Sequence, residues 1–422
     1  MTTSPPTPTP RFAALQHRNF NLLWAGLIVS NTGTWMQNVA QGWLVLQLTN
    51  SPLWLGLLGL SFAVPMIILP LVGGAVVDRI DRIKLLYFTQ TGAMLTALIL
   101  AILTWTGKVH ISYILIASFV SSTLLAFDNP ARQALIPDLV PKRDLMNAIS
   151  LNSATYTGAA LVGPAIAGAL LAPLGPGTLF FLNAISYLAV IVALTFIRNV
   201  QTHSSGVQHA SLGKSMLTGL AYAWKNRLIL ALLGLSALAA LFGRSYQTLL
   251  PIFSRDIWNG GPFGYGILLS ASGLGALVGA FGLASLRSVK RQGAILIASG
   301  LIFSLSVIVF AISPNFWLGV GLLLIGGIAV TVFGTIISTF IQVAVPNELR
   351  GRVMSLYAIT LIGLPSLGAM GIGSIAELLG GISGAPRAVL IGGAVVGVIL
   401  VFTTPLFWNR DIDTLKAHEH TH

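Results

Sequence analysis

Apolar stretches of about twenty residues recur along the whole chain and are separated by short polar segments. An α-helix rises 1.5 Å per residue, so each stretch is long enough to cross about 30 Å of hydrocarbon. The pattern therefore predicts an all-α membrane protein with twelve spanning helices. The predicted spans are residues 20–48, 53–77, 84–106, 111–131, 147–172, 177–197, 228–251, 264–286, 292–313, 315–340, 352–379 and 386–408.

Polar segments at the ends and near the middle divide the chain into five predicted parts. These are an N-terminal arm (1–19), a six-helix bundle (20–197), a Ser- and Gly-rich linker (198–227), a second six-helix bundle (228–408) and a tail (409–422). Within the linker, the run SMLTGLAYAWKN is expected to form a short helix on the membrane surface.

The two predicted bundles resemble each other when one is shifted by about 208 residues. Gly74 then aligns with Gly282, and Gly163 aligns with Gly371. A nearly constant offset across several regions indicates a duplication. Because each half has an even number of spans, the two copies are expected to share one orientation across the membrane.

The 23 Lys and Arg residues are distributed unevenly between the two ends of the predicted spans. With the N-terminus in the cytoplasm, 19 of them fall on the cytoplasmic side, three on the outer side and one, Arg244, within a span. Cytoplasmic loops of membrane proteins are enriched in Lys and Arg. The formal net charge of +12 therefore indicates membrane orientation, with both termini in the cytoplasm, and no nucleic-acid partner is expected.

The composition argues against several other classes of protein. The chain has no cysteine, which excludes disulfides and thiolate metal sites, and its seven histidines fall in tails or loops. A polytopic membrane enzyme is the remote alternative, but the sequence shows no interfacial cluster of catalytic residue types. A channel is a further alternative, although the charges form a turn and not a pore ring. No cofactor and no metal are expected.

A charged turn lies between the second and third predicted spans, in GGAVVDRIDRIKLL. Its residues Gly74, Asp78, Arg79, Arg82 and Lys84 resemble the signature loop of the major facilitator superfamily, G-x-x-x-D-R-x-G-R with a further cation. The resemblance covers essentially the whole chain. It implies two parallel six-helix bundles and a secondary active transporter that works by rocker-switch alternating access.

This turn is also expected to form a latch between the two halves. Asp78 can accept hydrogen bonds from free N–H groups at the start of the eleventh span, where the helix dipole favours an anion. Arg82 is expected to pair with Asp128, which lies one helical turn before Arg132. Such a latch would hold the outward-open state; the alternative is a topology signal only. The candidate latch residues are Gly74, Asp78, Arg79, Arg82, Asp128 and Arg132.

A second motif indicates a branch of this superfamily. The run from Pro130 to Asn152, followed by Gly163 and Pro164, is similar to the branch that holds the enterobactin exporter and macrolide-efflux proteins. This resemblance implies export of a bulky, partly apolar molecule of siderophore or drug type. Gly163 and Pro164 also resemble part of the fifth-helix antiporter signature, with close helix packing as the alternative. Import and lysophospholipid flipping stay open, because fold does not fix direction.

Polar side chains at membrane depth mark a candidate substrate cavity. In the superfamily the first, fourth, seventh and tenth helices line the central cavity. Polar groups in hydrocarbon are costly and face a cavity or a neighbouring helix, so interhelical hydrogen bonding is the alternative for the amides. The candidate cavity residues are Asn31, Trp35, Asn38, Gln41, Arg244, Tyr246, Gln247, Thr335 and Gln342.

The remaining expectations concern three charged residues at membrane depth. Arg244 can attract an anionic or catecholate-like substrate, or it can pair with Glu377. A proton antiporter needs a protonatable group, and Asp128 and Glu377 are the candidates for proton coupling. The expected partners are a small-molecule substrate, protons and membrane lipid, for a monomer in the bacterial cytoplasmic (inner) membrane.

Overall fold

The computed structural model describes residues 12–69, 80–197, 212–286 and 291–408. All regular structure within these ranges is helical. The helices are α1 (Arg18–Thr49), α2 (Pro52–Ile68), α3 (Arg82–Trp105), α4 (Ile111–Leu139), α5 (Leu145–Phe196), α6 (Leu212–Lys225), α7 (Arg227–Leu238), α8 (Gly261–Ser285), α9 (Gln292–Ile312), α10 (Phe316–Ala344), α11 (Asn347–Ile362), α12 (Leu364–Leu378) and α13 (Ala385–Phe407).

Nine helical stretches of the described residues are long and apolar enough to cross a membrane. One of them contains α5, which is interrupted at Gly175, where φ is 72°. Glycine adopts this left-handed conformation without steric cost, so α5 consists of two helical segments that meet there. They correspond to the predicted spans 147–172 and 177–197. The nine do not include α1, which is 32 residues long but carries several amide side chains.

The predicted seventh span is an irregular helix. Beyond α7 the chain forms a π-helix (Ala239–Gly243), a 3₁₀-helix (Arg244–Leu249), a short α-turn (Leu250–Ile252) and a second π-helix (Phe253–Ile257). Pro251 has no N–H to donate, which prevents a regular α-helix through this stretch. π-Helical turns are frequent at functional sites, and the first of these two π-helices, Ala239–Gly243, directly precedes Arg244.

Several helices continue beyond the predicted apolar spans. The helix α4 ends at Leu139 instead of residue 131, and α10 ends at Ala344 instead of residue 340. A span predicted from hydropathy stops at the first polar residues, whereas the helix continues into the polar region at the membrane surface. The predicted surface helix in the linker is present as α6, while residues 198–211 lie outside the described part of the chain.

The helices fall into two groups by their contacts. Within residues 18–196, α1 packs along α5, and α3 packs against α4 and α5. Within residues 227–407, α10 packs against α8 and α9, and α9 packs against α13. We call these the N-terminal group and the C-terminal group. They meet along two seams, α5 against α8 and α2 against α12.

The two ends of the molecule differ in charge. We call the end at which α1 begins the basic end, because Arg18, Arg82, Arg143 and Arg350 lie there. The other end, at which α1 stops at Thr49, is the opposite end.

Candidate functional site

A cavity of about 640 Å³ lies between the N-terminal and C-terminal groups. A volume of this size accommodates a drug-sized molecule. The N-terminal group contributes the aromatic rings of Trp35 and Tyr156, and the C-terminal group contributes most of the polar groups. Six of the nine candidate cavity residues line it, namely Trp35, Arg244, Tyr246, Gln247, Thr335 and Gln342.

Sequence reasoning missed two tyrosines of this cavity, Tyr156 on α5 and Tyr357 on α11. The hydroxyl of Tyr357 donates a hydrogen bond to the Gly334 carbonyl oxygen at 2.8 Å. A signal for Tyr156 was available, because Tyr156 and Pro164 are eight residues apart and therefore share one helix face. Pro164 also lines the cavity.

The cavity opens at the basic end. Gln342, two residues before the end of α10, lines it there and is exposed, as is Thr335 two turns deeper. At the other extreme of the cavity, Tyr246 is 2% exposed and Phe303 is 1% exposed. The access route therefore runs from the basic end to about the middle of the helices.

Polar contacts between the two groups close the opposite end. The Glu377 carboxylate, near the end of α12, accepts hydrogen bonds from Ser51 Oγ at 2.7 Å and from the Leu53 N–H at 3.4 Å. Arg255 donates from Nη1 to the Leu46 carbonyl oxygen at 3.2 Å. Of the two alternatives for Arg244, the pairing with Glu377 is therefore wrong: Glu377 lies at the opposite end and Arg244 lies inside the cavity.

Close backbone contacts complete the closure at the two seams. A Cβ atom at Gly266 on α8 would lie 2.5 Å from the Pro164 carbonyl oxygen on α5. A Cβ atom at Gly373 on α12 would lie 2.6 Å from the Pro52 carbonyl oxygen on α2. Only glycine permits such an approach, as at other close helix crossings in membranes. Gly163, by contrast, packs against Trp35 within the N-terminal group.

Asp128 on α4 is the centre of a buried polar network in the N-terminal group. It is 3% exposed and forms an ion pair with Arg132. Its Oδ1 atom accepts hydrogen bonds from Thr89 Oγ1 at 2.9 Å and from Gln90 Nε2 at 2.7 Å. Because Thr89 and Gln90 lie on α3, this carboxylate joins α3 to α4.

The expected pairing of Arg82 with Asp128 is wrong. Arg82 donates from Nη1 to Asp138 Oδ2 at 2.5 Å and to the Ala134 carbonyl oxygen at 2.9 Å. Asp138 is ten residues after Asp128, about 15 Å further along α4, and so lies beside the start of α3 at the basic end. The remaining latch residues, Gly74, Asp78 and Arg79, lie outside the described residues.

A second cavity, of about 100 Å³, lies inside the N-terminal group beside Asp128. Asn31, Asn38 and Gln41 line it, and Asn38 and Gln41 also line a third cavity of about 210 Å³ between the two groups. Trp35 and Tyr156 belong to the walls of both the second cavity and the large cavity. The second cavity, which Asp128 also lines, therefore adjoins the large cavity at these two rings.

Two amide groups in this region are not satisfied. Gln41 Nε2 and Gln90 Oε1 are buried and have no hydrogen-bond partner among the described residues. Unpaired buried polar atoms in a polar cavity are usual sites of bound water.

An all-helical fold of membrane-spanning segments around a cavity between two helical groups is the architecture of a membrane transporter. A family model described as "Transmembrane secretion effector" matches residues 9–420, and the chain belongs to this family of the major facilitator superfamily. Transport of small molecules, and not catalysis, is the activity of this class.

Proteins of known name resemble the chain at modest identity. The staphyloferrin A transporter of Staphylococcus aureus is 29% identical over 248 residues, which cover 58% of this chain and 62% of that transporter, less than two thirds of its length. Macrolide efflux protein A of Streptococcus pyogenes is 25% identical over 346 residues, 80% of this chain and 84% of that protein. The crystal structure of the nucleoside transporter NupG superposes with a TM-score of 0.76 at 16% identity, covering 94% of this chain and all of that one.

These matches confirm two sequence-based expectations. The chain is a major facilitator, and it falls in the branch that includes macrolide-efflux proteins and the enterobactin exporter. The likeness to NupG confirms the fold alone.

Proposed function

We propose that the protein is a secondary active exporter of a small, partly apolar molecule of siderophore or drug type. The large cavity, open at the basic end and closed at the opposite end, is the observation that carries this proposal. Its size and its mixture of rings and polar groups suit such a substrate. The macrolide efflux relative supports export, and the staphyloferrin A transporter supports a substrate of siderophore type.

We assign the protein to the inner membrane of a bacterial cell, with the basic end facing the cytoplasm. The distribution of Lys and Arg supports this orientation, in which both termini are inside. The nine apolar stretches become ten when the two segments of α5 are counted separately. With α1 and α2 they give twelve crossings, six in each group. The two groups then correspond to the bundles of residues 20–197 and 228–408, acting as a monomer surrounded by lipid.

In this orientation the structure is the inward-open state of a rocker-switch cycle. Opening the cavity to the outside separates α2 from α12 and α5 from α8 at the opposite end. The Glu377 contacts to Ser51 and Leu53 break in that step. The groups then meet at the basic end, where the predicted contact of Asp78 with the start of α11 would form.

Proton antiport is the driving reaction in this proposal, with Asp128 as the carrier. Asp128 is buried, lies at membrane depth and is close to the walls of the large cavity. Protonation removes its negative charge, which weakens its attraction to Arg132 and its hydrogen bonds from α3. The packing of α3 on α4 therefore depends on the proton. Glu377 is less suitable, because it is exposed at the opposite end and tied to α2.

The proposal is tested by measuring the accumulation of labelled compounds in cells with and without the protein. The panel contains siderophores, macrolides, dyes and lysolipids, and each compound is measured with and without a protonophore. We expect lower accumulation of at least one compound in expressing cells, and we expect the difference to disappear with the protonophore. Equal accumulation of the whole panel would contradict export, and higher accumulation would show import. A difference that persists with the protonophore would contradict proton antiport.

A further inference from the structure

Arg244 carries a positive charge inside the large cavity without a counter-ion. No described residue forms an ion pair or a hydrogen bond with its guanidinium group. Glu377, which the sequence offered as an alternative partner, is bound to Ser51 and to the start of α2. An unpaired cation at membrane depth is costly, and such residues mark ligand sites in membrane proteins.

The lining of the cavity carries one sign of charge. Within the described part of the chain, Arg244 is its single charged residue, and no Asp or Glu side chain lines it. Tyr156, Tyr246 and Tyr357 line the same cavity as Arg244. Tyr156 is 61% exposed, and its hydroxyl makes no hydrogen bond with the described residues. The site therefore offers a cation and a free hydroxyl donor to an anion.

Aromatic rings form the other wall of the cavity. Trp35 and Tyr156 lie with their centroids 6.1 Å apart and their planes tilted by 59°. Both belong to the N-terminal group, whereas Arg244 belongs to the C-terminal group. A flat ring system against the N-terminal wall with an acidic substituent on Arg244 would contact both groups at once.

Resting on the proposed function, we propose that the cavity selects anionic aromatic molecules, such as aromatic carboxylates and catecholates, and rejects cationic amphiphiles. The negative group binds Arg244 and the hydroxyl of Tyr156, and the ring packs against Trp35. Charge-assisted hydrogen bonds to a guanidinium group are among the stronger polar contacts in proteins. A cationic molecule of the same shape would face Arg244 across a site that holds no acid.

Two dyes with the same xanthene skeleton test this selectivity directly. Fluorescein is anionic and rhodamine 123 is cationic at neutral pH, and both are used as fluorescent probes. Their binding to the purified full-length protein in a neutral detergent is measured by fluorescence anisotropy. We expect fluorescein to bind at least tenfold more tightly than rhodamine 123. Because binding needs no gradient and no direction, failure of export would not affect this measurement.

Variants of Arg244 show whether this residue sets the preference. We expect Arg244→Ala to weaken fluorescein binding about tenfold or more, Arg244→Lys to retain part of it, and Arg244→Glu to favour rhodamine 123. Lys108→Ala removes one positive charge from an exposed turn at the opposite end and is the matched control, with unchanged binding of both dyes. Melting temperatures confirm that each variant is folded.

Results of the binding measurements themselves would overturn the proposal in three cases, and the charge control adds a fourth. The three cases are equal affinity of the parent protein for the two dyes, unchanged fluorescein binding in folded Arg244→Ala, and an Arg244→Glu variant whose preference for fluorescein persists. Fluorescein binding that Lys108→Ala weakens as strongly as Arg244→Ala would also refute it, since the effect would then be one of net charge.

Discussion

Gly373 on α12 offers a direct test of the closure at the opposite end. A methyl group at this position would lie 2.6 Å from the Pro52 carbonyl oxygen and 3.2 Å from the Cα and N atoms of Gly56. An ordinary contact requires about 3.4 Å, so α2 and α12 have to separate by about 0.8 Å at this point. Both neighbours are helix backbone and cannot rotate away. Gly373→Ala is therefore expected to disfavour the closed opposite end.

The size of the effect follows from the cost of overpacking. Extra methyl groups in close-packed sites cost about 1–3 kcal/mol. The gain in helix propensity from Gly to Ala, about 1 kcal/mol, is the same in both states and cancels. Since 1.4 kcal/mol corresponds to a factor of ten, the equilibrium should shift about 5- to 140-fold toward opening at the opposite end. Gly371→Ala on the same helix is the matched control, because a Cβ there has no atom within 4 Å.

Pulsed electron paramagnetic resonance measures this shift. The chain has no cysteine, so Lys108→Cys and Ser383→Cys can be labelled at the opposite end, one in each group, without removing native thiols. We expect Gly373→Ala to increase the population with the longer distance between the labels, and Gly371→Ala to match the parent. A distance distribution for Gly373→Ala that matches the parent would refute the idea that backbone contact at this seam sets the conformational equilibrium.

Three further predictions concern charged residues. The double variant Asp128→Asn with Arg132→Gln removes both charges, because an unpaired buried charge would destabilise the protein by about 3–5 kcal/mol. It should abolish gradient-driven export in proteoliposomes, while substrate exchange persists. Protonophore-sensitive export by this variant would exclude Asp128 as the proton carrier. Glu377→Gln should destabilise the closed opposite end by about 0.3–1 kcal/mol, which shifts the equilibrium between its closed and open states about two- to fivefold. The same spin labels measure this shift, and an unchanged distance distribution would contradict a role of Glu377 in the closure. Asp138→Asn should lower the melting temperature, because loss of the charged contact with Arg82 lowers the free energy of unfolding by about 1.5–3 kcal/mol. The selectivity between the two dyes should not change. An unaltered melting temperature would show that the ion pair adds no stability.

The helices were largely predictable because the hydrocarbon imposes their length. The third predicted span, residues 84–106, differs from α3 (Arg82–Trp105) by two residues at most. The interruption at Gly175 was also located correctly between two spans. The irregular turns around Arg244 were not predictable from hydropathy, because a π-turn changes hydrogen bonding and not the apolar pattern.

The cavity residues were predictable where a polar group interrupts an apolar span, as at Arg244 and Gln342. Tyr156 and Tyr357 were missed because a tyrosine in an apolar helix is compatible with simple packing. The pairing of Glu377 with Arg244 was wrong for a different reason. Glu377 lies at the opposite end, whereas Arg244 of the same group lies inside the cavity, and a pattern along one chain does not show which acid on a neighbouring helix lies at the depth of a given arginine.

The seam between α5 and α8 has a consequence for how such a protein can evolve. At Gly168 and Gly266 the two helices meet main chain to main chain, with no side chain between them. This part of the closed end is thus formed by two glycines that lie outside the wall of the large cavity. Substitutions in that wall therefore leave this backbone contact between the two groups unchanged, so the lining of the cavity can vary from one relative to another without any alteration of the seam.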